Sequence, residues 1–313
     1  MPLWFPNIRR HNWPLLRSSD SILARLIAIR FDMATIADEL RQWAGRVDRL
    51  DISWLLQYVL KVNAAFLVAH PDYMLTAGQT VHLHQLLGKR IAGVPVAYLI
   101  GRQGFYDFIL EVTPDVLIPR PETELLVETA LTMIPVNHVC KILDLGTGSG
   151  AIAIAIARYR PCAQVIALDI STKALMLARK NAARLSVRNI DFVASNWYAS
   201  LDGVKFDGIV SNPPYIASED PHLQQGDLRF EPVLALAAES DGLSCLRKII
   251  SDACRFLRQD GWLLFEHGYD QAAACSKLLT VAGFSDLISK MDFAQIDRVS
   301  GGYNRRVSSD PDK

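Results

Sequence analysis

The sequence lacks a surplus of charge of either sign: 33 Lys and Arg offset 33 Asp and Glu, for a formal net charge of zero. A protein whose main task is gripping a nucleic-acid backbone usually carries a basic excess. The balance therefore argues against a stably held DNA or RNA partner, while leaving room for a local basic patch. Long hydrophobic runs are also missing. No apolar stretch approaches the roughly 18 residues of a membrane span. The most apolar one, Ala151–Ala157, closes at Arg158 and reads as a buried helix. No membrane partner is expected. Cysteine is sparse, and Cys140, Cys162, Cys245, Cys254 and Cys275 form no C-x-x-C pair. An odd count without that spacing excludes a simple disulfide framework and the common zinc sites. Buried thiols in a reducing cytoplasm are the expected reading. His82 and His84 are spaced as metal ligands, but no third ligand stands near them, so no metal is expected. There is no internal repeat and no low-complexity tract.

Half of the 313 residues are hydrophobic and 21% are charged, which is the balance of a packed globular chain. The length suggests about two domains. Residues 1–32 stand apart, with five arginines against Asp20 and Asp32. They read either as an organelle-targeting peptide, which is Arg-rich and acid-poor, or as a start-site artefact. The artefact is favoured because Met33 opens a clean helical pattern. Residues 33–103 are expected to form a small helical domain: Ile36, Leu40, Trp43, Ile52, Leu55, Leu56, Val59 and Leu60 recur at helical spacing. Residues 104–118 read as a hairpin linker, with Phe105, Tyr106, Phe108, Ile109, Leu110 and Val112 in paired strands. From 119 to 313, apolar strands at Cys140–Leu145, Gln164–Asp169, Ile190–Val193, Phe206–Ser211, Trp262–Glu266 and Phe284–Ser289 alternate with helical segments. That alternation predicts an α/β fold, a mostly parallel sheet with helices on both faces.

The first of these strands runs into Gly146-Thr147-Gly148-Ser149-Gly150. Glycines let the backbone turn sharply and approach a ligand with no Cβ in the way. In an open parallel sheet ligands sit beyond the carboxyl ends of strands, where this turn lies. Asp169 closes the next strand, and a carboxylate there can accept from both ribose hydroxyls of an adenosine. Gly146, Gly148 and Ala151, with an acid about 20 residues on, also satisfy the dinucleotide fingerprint. The turn alone thus supports either NAD or S-adenosylmethionine. Asp144, two residues before the first glycine, tips the reading. A carboxylate beside the turn suits a sulfonium and an ammonium and sits poorly beside a pyrophosphate.

A second motif, Asn212-Pro213-Pro214-Tyr215, ends another strand. Consecutive prolines fix φ and offer carbonyls without competing N–H donors. Asn212 supplies a side-chain acceptor and two donors, and Tyr215 an aromatic face and a hydroxyl. Together they form a rigid polar clamp for a planar group that bears an NH₂. An amide nitrogen is a poor nucleophile because its lone pair is delocalised. Accepting its two N–H bonds, at the Asn212 side-chain oxygen and the Pro213 carbonyl, would orient it for attack.

With both motifs in view, the chain resembles the release-factor glutamine methyltransferases (the PrmC/HemK family) from about Met33 onward. The resemblance rests on Arg90–Gly101, Ile118–Glu124, Asp144–Gly150, Asn212–Tyr215 and His222–Pro232. It implies a class I methyltransferase (Rossmann-like) seven-stranded sheet with one antiparallel strand, preceded by a hairpin and a small all-helical domain that recognises substrate. It implies S-adenosylmethionine as cofactor, contacted by Gly146, Thr147, Gly148, Ser149, Gly150, Asp169, Trp197 and Asn212. It implies Asn212, Pro213, Pro214 and Tyr215 as the catalytic clamp. The implied substrate is the glutamine of the Gly-Gly-Gln loop in peptide-chain release factors. Asn196 departs from the family, since many relatives carry an acid there that faces the adenine.

Three rival functions deserve comparison: the same chemistry on a ribosomal-protein glutamine, a nucleic-acid methyltransferase acting on an exocyclic base amine, and an NAD-dependent oxidoreductase. Zero net charge argues against the second, and the third leaves Asn212–Tyr215 unexplained. In Pro119–Glu124, Pro121 suits a first helical position, with Glu122 and Glu124 at the positive helix end. The sharper alternative is that Arg120 or Glu124 lines the cofactor mouth. Glu266 and His267 end a strand near the expected site and read as packing or support. The loop position of Trp197 favours stacking on adenine.

Overall fold

The computed structural model describes residues 34–305. Residues 1–32, the extension, and Met33 lie outside the described residues. The chain divides into two compact units, one ending at Gln85 and one beginning at Leu86.

The first unit is helical. It contains α1 (Ile36–Trp43), α2 (Arg49–Leu60), α3 (Ala64–Ala69) and most of α4 (Ala77–Ile91). Helix α1 starts on a capping box: the Asp38 N–H donates to Thr35 Oγ1 at 3.1 Å, and the Thr35 N–H donates to Asp38 Oδ2 at 3.0 Å. Asn63 caps α3 by accepting from the Phe66 N–H at 2.9 Å. Ile36, Ile52, Leu55, Leu56, Leu75 and Leu83 are fully buried. Beside them lies a buried carboxylate, Glu39, which accepts from Trp43 Nε1 at 3.0 Å and meets His84 Nε2 at 2.9 Å. His82 instead packs edge-on against the Tyr58 ring.

The second unit opens with α5 (Val96–Ile100) and a hairpin of β1 (Arg102–Phe105) and β2 (Phe108–Glu111). Then follow α6 (Pro121–Met133), β3 (Cys140–Leu145), α7 (Ala151–Tyr159), β4 (Ala163–Asp169), α8 (Thr172–Arg184), β5 (Ile190–Ala194) and β6 (Phe206–Ser211). A short parallel pair, β7 (Ile216–Ala217) and β8 (Ala237–Ala238), brackets the small helix α9 (Val233–Leu236). The chain closes with α10 (Ser244–Phe256), β9 (Leu257–Glu266), α11 (Ala272–Val281), β10 (Ser285–Met291) and β11 (Asp297–Tyr303). Among the described residues no helix is long and apolar enough to cross a membrane.

The main sheet has seven strands in the order β10-β11-β9-β6-β3-β4-β5. Strands β5, β4, β3, β6 and β9 pair in parallel, and β11 runs against both its neighbours. Helices cover both faces, so the central strands are apolar on both sides. On one face Ile142, Val165, Val210 and Leu264 pack with Leu126 and the apolar stretch Ala151–Ala157 of α7. On the other Leu143, Ile209, Leu263 and Phe265 pack with Leu246, Ile249 and Leu279.

Strand order reverses beside β3: the chain moves outward through β4 and β5, then returns to place β6 on the opposite side. Ligand crevices form at such switch points, beyond the carboxyl ends of the strands. Register fixes what meets there. Leu145 of β3 is paired with Ser211 of β6 and with Leu168 of β4. The next residues are therefore Gly146, Asn212 and Asp169, side by side. Ser211 Oγ donates to the Leu145 carbonyl at 2.8 Å and ties the first two strand ends together.

Gly150 makes the turn after β3 compact. Its φ is +87°, and a Cβ there would lie 2.9 Å from Ile154 Cδ1 and 3.2 Å from Ala178 Cβ on α8. Gly150→Ala is expected to destabilise the protein by roughly 2 kcal/mol, from left-handed strain and displaced side chains. Urea unfolding checks this: the midpoint falls at unchanged slope.

Strand β11 has no counterpart among the strands expected from the apolar pattern. Its sequence, Asp297-Arg-Val-Ser-Gly-Gly-Tyr303, is polar and glycine-rich. Close approach to β9 explains Gly301, where a Cβ would lie 2.0 Å from the Leu263 carbonyl oxygen, and at Gly302 a Cβ would lie 3.0 Å from Leu287 Cδ2 on β10.

Candidate active site

A cavity of about 520 Å³ opens at the switch point, lined by Gly146–Ser149, Asp169, Trp197, Asn212 and Pro214 together with Thr123. That is ample for a nucleoside-sized ligand. The two motifs, 62 residues or more apart in sequence, thus share one cavity.

Its cofactor-like end is built from backbone. Gly146 and Thr147 both donate their N–H to the Leu168 carbonyl, at 2.9 and 2.8 Å. Asp169 Oδ2 accepts from the Gly148 N–H at 2.9 Å, and Oδ1 from the Ser171 N–H at 2.8 Å. Each oxygen keeps a further lone pair for a ligand. Burial raises the Asp169 carboxyl, while the Ser171 and Gly148 N–H bonds pull the other way. Trp197 sits in a left-handed bend at φ 52°, with its ring over Gly146, 3.8 Å from where a Cβ would lie. Ser195 Oγ holds that bend, donating to the Trp197 carbonyl at 2.7 Å and accepting from the Ser200 N–H at 3.0 Å. Asn196 is exposed and also lines the cavity. Asn181, fully buried on α8, donates to the carbonyls of Ser149 and Glu111 and accepts from the Glu111 N–H. It anchors the hairpin to the glycine turn.

The other end is built from side chains. Asn212 Nδ2 donates to Thr123 Oγ1 at 3.0 Å. Thr123 Oγ1 donates to Glu266 Oε2 at 2.7 Å, and Tyr215 Oη donates to Glu266 Oε1 at 3.0 Å. Glu266 is fully buried at the end of β9. Burial raises its carboxyl, and the Thr123 and Tyr215 hydroxyls offset part of that. Burial and the neighbouring Glu266 push the Tyr215 phenol far up, so it keeps its proton. Gln271 Nε2 donates to the Tyr215 carbonyl at 3.0 Å.

Three expected residues stand behind the wall. Gly150 caps α7, Pro213 is buried, and the Tyr215 side chain points to Glu266; none lines the cavity. Asp144, expected as an anion beside the ligand, instead lies fully buried beneath the turn and does not line the cavity. Burial raises its carboxyl to about 7, only partly opposed by Thr147 and the Ala153 N–H. Arg120 and Glu124 also face elsewhere. Arg120 pairs with the buried Glu231, whose other oxygen accepts from the Ile118 N–H at 3.0 Å. Glu124 accepts from the Tyr106 N–H at 2.8 Å. Helix α6 does begin at Pro121, as the helix-start reading has it. Asp227 meets Arg90 at 2.7 Å, and Arg229 donates to the Ala92 carbonyl, so the segments 90–101 and 222–232 adjoin. His267 is a support: its Nε2 bonds Ser300 Oγ at 2.9 Å, and burial lowers its pKa.

Comparison with known proteins agrees with this geometry. Residues 34–101 match the PrmC N-terminal domain, and residues 121–227 match the Methyltransferase small domain. The chain is 49% identical over 275 residues to the release factor glutamine methyltransferase of Burkholderia pseudomallei, covering 86% of this chain and 96% of that one. It is 43% identical over 259 residues to the Escherichia coli release factor glutamine methyltransferase, covering 83% and 93%. The catalytic domain of hMettl16, solved with a MAT2A 3'UTR hairpin, superposes with a TM-score of 0.51 at 17% identity, over 63% of this chain and 76% of that one. That likeness is one of fold alone. Sequence identity spanning nearly the full length of such relatives, with both motifs gathered at one crevice, places this chain in the release factor glutamine methyltransferase family.

Proposed function

We propose that the chain methylates the side-chain amide nitrogen of the glutamine in the Gly-Gly-Gln loop of peptide-chain release factors. One observation carries the reading: the glycine turn, Asp169 and Trp197 share a single cavity with Asn212 and Pro214. S-adenosylmethionine, held by Gly146–Ser149, Asp169, Trp197 and Asn212, supplies an electrophilic methyl group when bound. The cavity's lone pairs on Asp169 and its indole face suit an adenosine.

The chain's own part is orientation. The Asn212 side-chain oxygen accepts an N–H bond of the glutamine amide. The nitrogen lone pair is then directed along the cavity, and the apolar walls exclude competing water. Transfer of the methyl group to the neutral amide nitrogen gives an N-protonated cation, which is strongly acidic, so its extra proton leaves to solvent after transfer without a dedicated base. Zero net charge fits an enzyme that holds no nucleic acid stably. A release factor as substrate puts the reaction in the cytoplasm.

The test is incubation with labelled S-adenosylmethionine and purified release factor, followed by mass mapping. Label on the Gly-Gly-Gln glutamine is the expected result. Label confined to a ribosomal protein or to RNA would reject the proposal.

A further inference from the structure

We infer that Thr123 and Glu266 are positioning residues that decide which way the Asn212 carboxamide faces. This deepens the proposed function and rests on Asn212 accepting from an amide substrate.

An asparagine side chain has two nearly identical orientations, and only its partners distinguish them. The partners here leave one choice. Glu266 is buried at the end of β9, and two hydroxyls converge on it. In its ionised form Glu266 only accepts, so both hydroxyl protons then point inward to it. The Thr123 hydroxyl has a single proton, and Glu266 Oε2 takes it at 2.7 Å. Thr123 Oγ1 can then only accept, and what it accepts is the Asn212 Nδ2–H at 3.0 Å. With its NH₂ held against the wall, Asn212 keeps its Oδ1 for the incoming N–H. A flipped carboxamide would present a donor to a donor and repel the substrate amide. The other oxygen of the same side chain holds the Tyr215 hydroxyl, so one buried carboxyl group sets two members of the clamp. These residues come from α6, β9 and the loop after β6, which makes the clamp a product of the whole sheet edge.

Thr123→Val keeps the volume and branching of the side chain but removes its proton and lone pairs. We expect it to lower kcat on release factor by at least ~10-fold, the scale of one oriented polar group in a catalytic site, with little change in cofactor Kd; Tm should fall in part, because Glu266 Oε2 loses its buried donor. Thr123→Ser restores the hydroxyl and should recover most of the rate. A packing role predicts the reverse order, since Val fills the site better than Ser. A second readout does not need turnover. In the wild-type protein the Asn212 side-chain NH₂ should show nuclear Overhauser contacts to Thr123 and slowed exchange with solvent. In Thr123→Val that protection should vanish. The inference is overturned if Thr123→Val turns over like the wild type, or if the Asn212 NH₂ shows no contact to Thr123. If the wild-type chain transfers no methyl to release factor while the NH₂ still reports to Thr123, the proposed substrate is wrong and the orientation stands.

Discussion

Asn212→Ala is expected to slow methyl transfer to release factor by at least ~100-fold, the cost of losing one preorganised polar group at a reacting centre. Cofactor affinity should change far less. The turn, Asp169 and Trp197 hold their places through bonds that do not involve Asn212: Gly146 and Thr147 to Leu168, Gly148 and Ser171 to Asp169, and Ser195 to Trp197. The loss should fall mainly on kcat rather than on cofactor Kd, as expected for a residue whose principal interaction is with the reacting amide. Calorimetry with the cofactor, alongside single-turnover methylation of release factor, separates the two. Folding should survive, because Thr123 still donates to Glu266 after its Asn212 partner is gone. Asn212→Asp is a sharper control. It preserves size and presents an oxygen to the cavity, but it removes the Nδ2 donor and sets a second carboxylate against Thr123. A rate near that of the wild type for Asn212→Ala would remove Asn212 from the mechanism.

How far the sequence reveals this arrangement depends on the range of each interaction. Strand β3 at Cys140–Leu145, the helix after the glycine turn and Asp169 at the end of β4 are all legible, because each is written in local pattern. Their approach to Asn212 follows from parallel register, which the βα alternation implies. The partners of the clamp are different. Thr123 and Glu266 are 143 residues apart in the chain. Thr123 stands in a helix start whose neighbours Pro121 and Glu124 draw the attention, and nothing local marks its hydroxyl. Glu231 likewise looks like an ordinary acid until Arg120 and the Ile118 N–H close on it. Strand β11 is hidden because its close approach to β9 requires glycine where a strand usually carries a branched side chain.

Asp144 shows how burial changes the meaning of a motif residue, and it supports a prediction about stability. Both of its oxygens lack a full hydrogen bond among the described residues, and so does the neighbouring Thr147 hydroxyl. Its carboxyl is raised from 3.8 to about 7, chiefly because burial penalises the charged form. The folded state therefore holds a proton that the unfolded chain releases at lower pH. Below 3.8 both states are protonated and the group makes no difference. As pH rises from 3.8 to about 7, the unfolded chain ionises first and stability is lost. Above that range the loss is constant, on the order of 4 kcal/mol at about 1.36 kcal/mol per pH unit. Asp144→Asn removes this titration, and its amide can donate to the unsatisfied Thr147 hydroxyl. The difference in unfolding free energy between variant and wild type should therefore grow in the variant's favour as pH rises across that window, then level off. Urea titrations at a series of pH values measure the difference directly, with the groups common to both proteins cancelling. A difference that stays flat with pH would mean that the wild-type carboxyl under the glycine turn titrates as an ordinary one. In that case a charged Asp144 would stand beneath the cavity after all, and the electrostatic preference for a cationic ligand first read from its sequence position would regain its force.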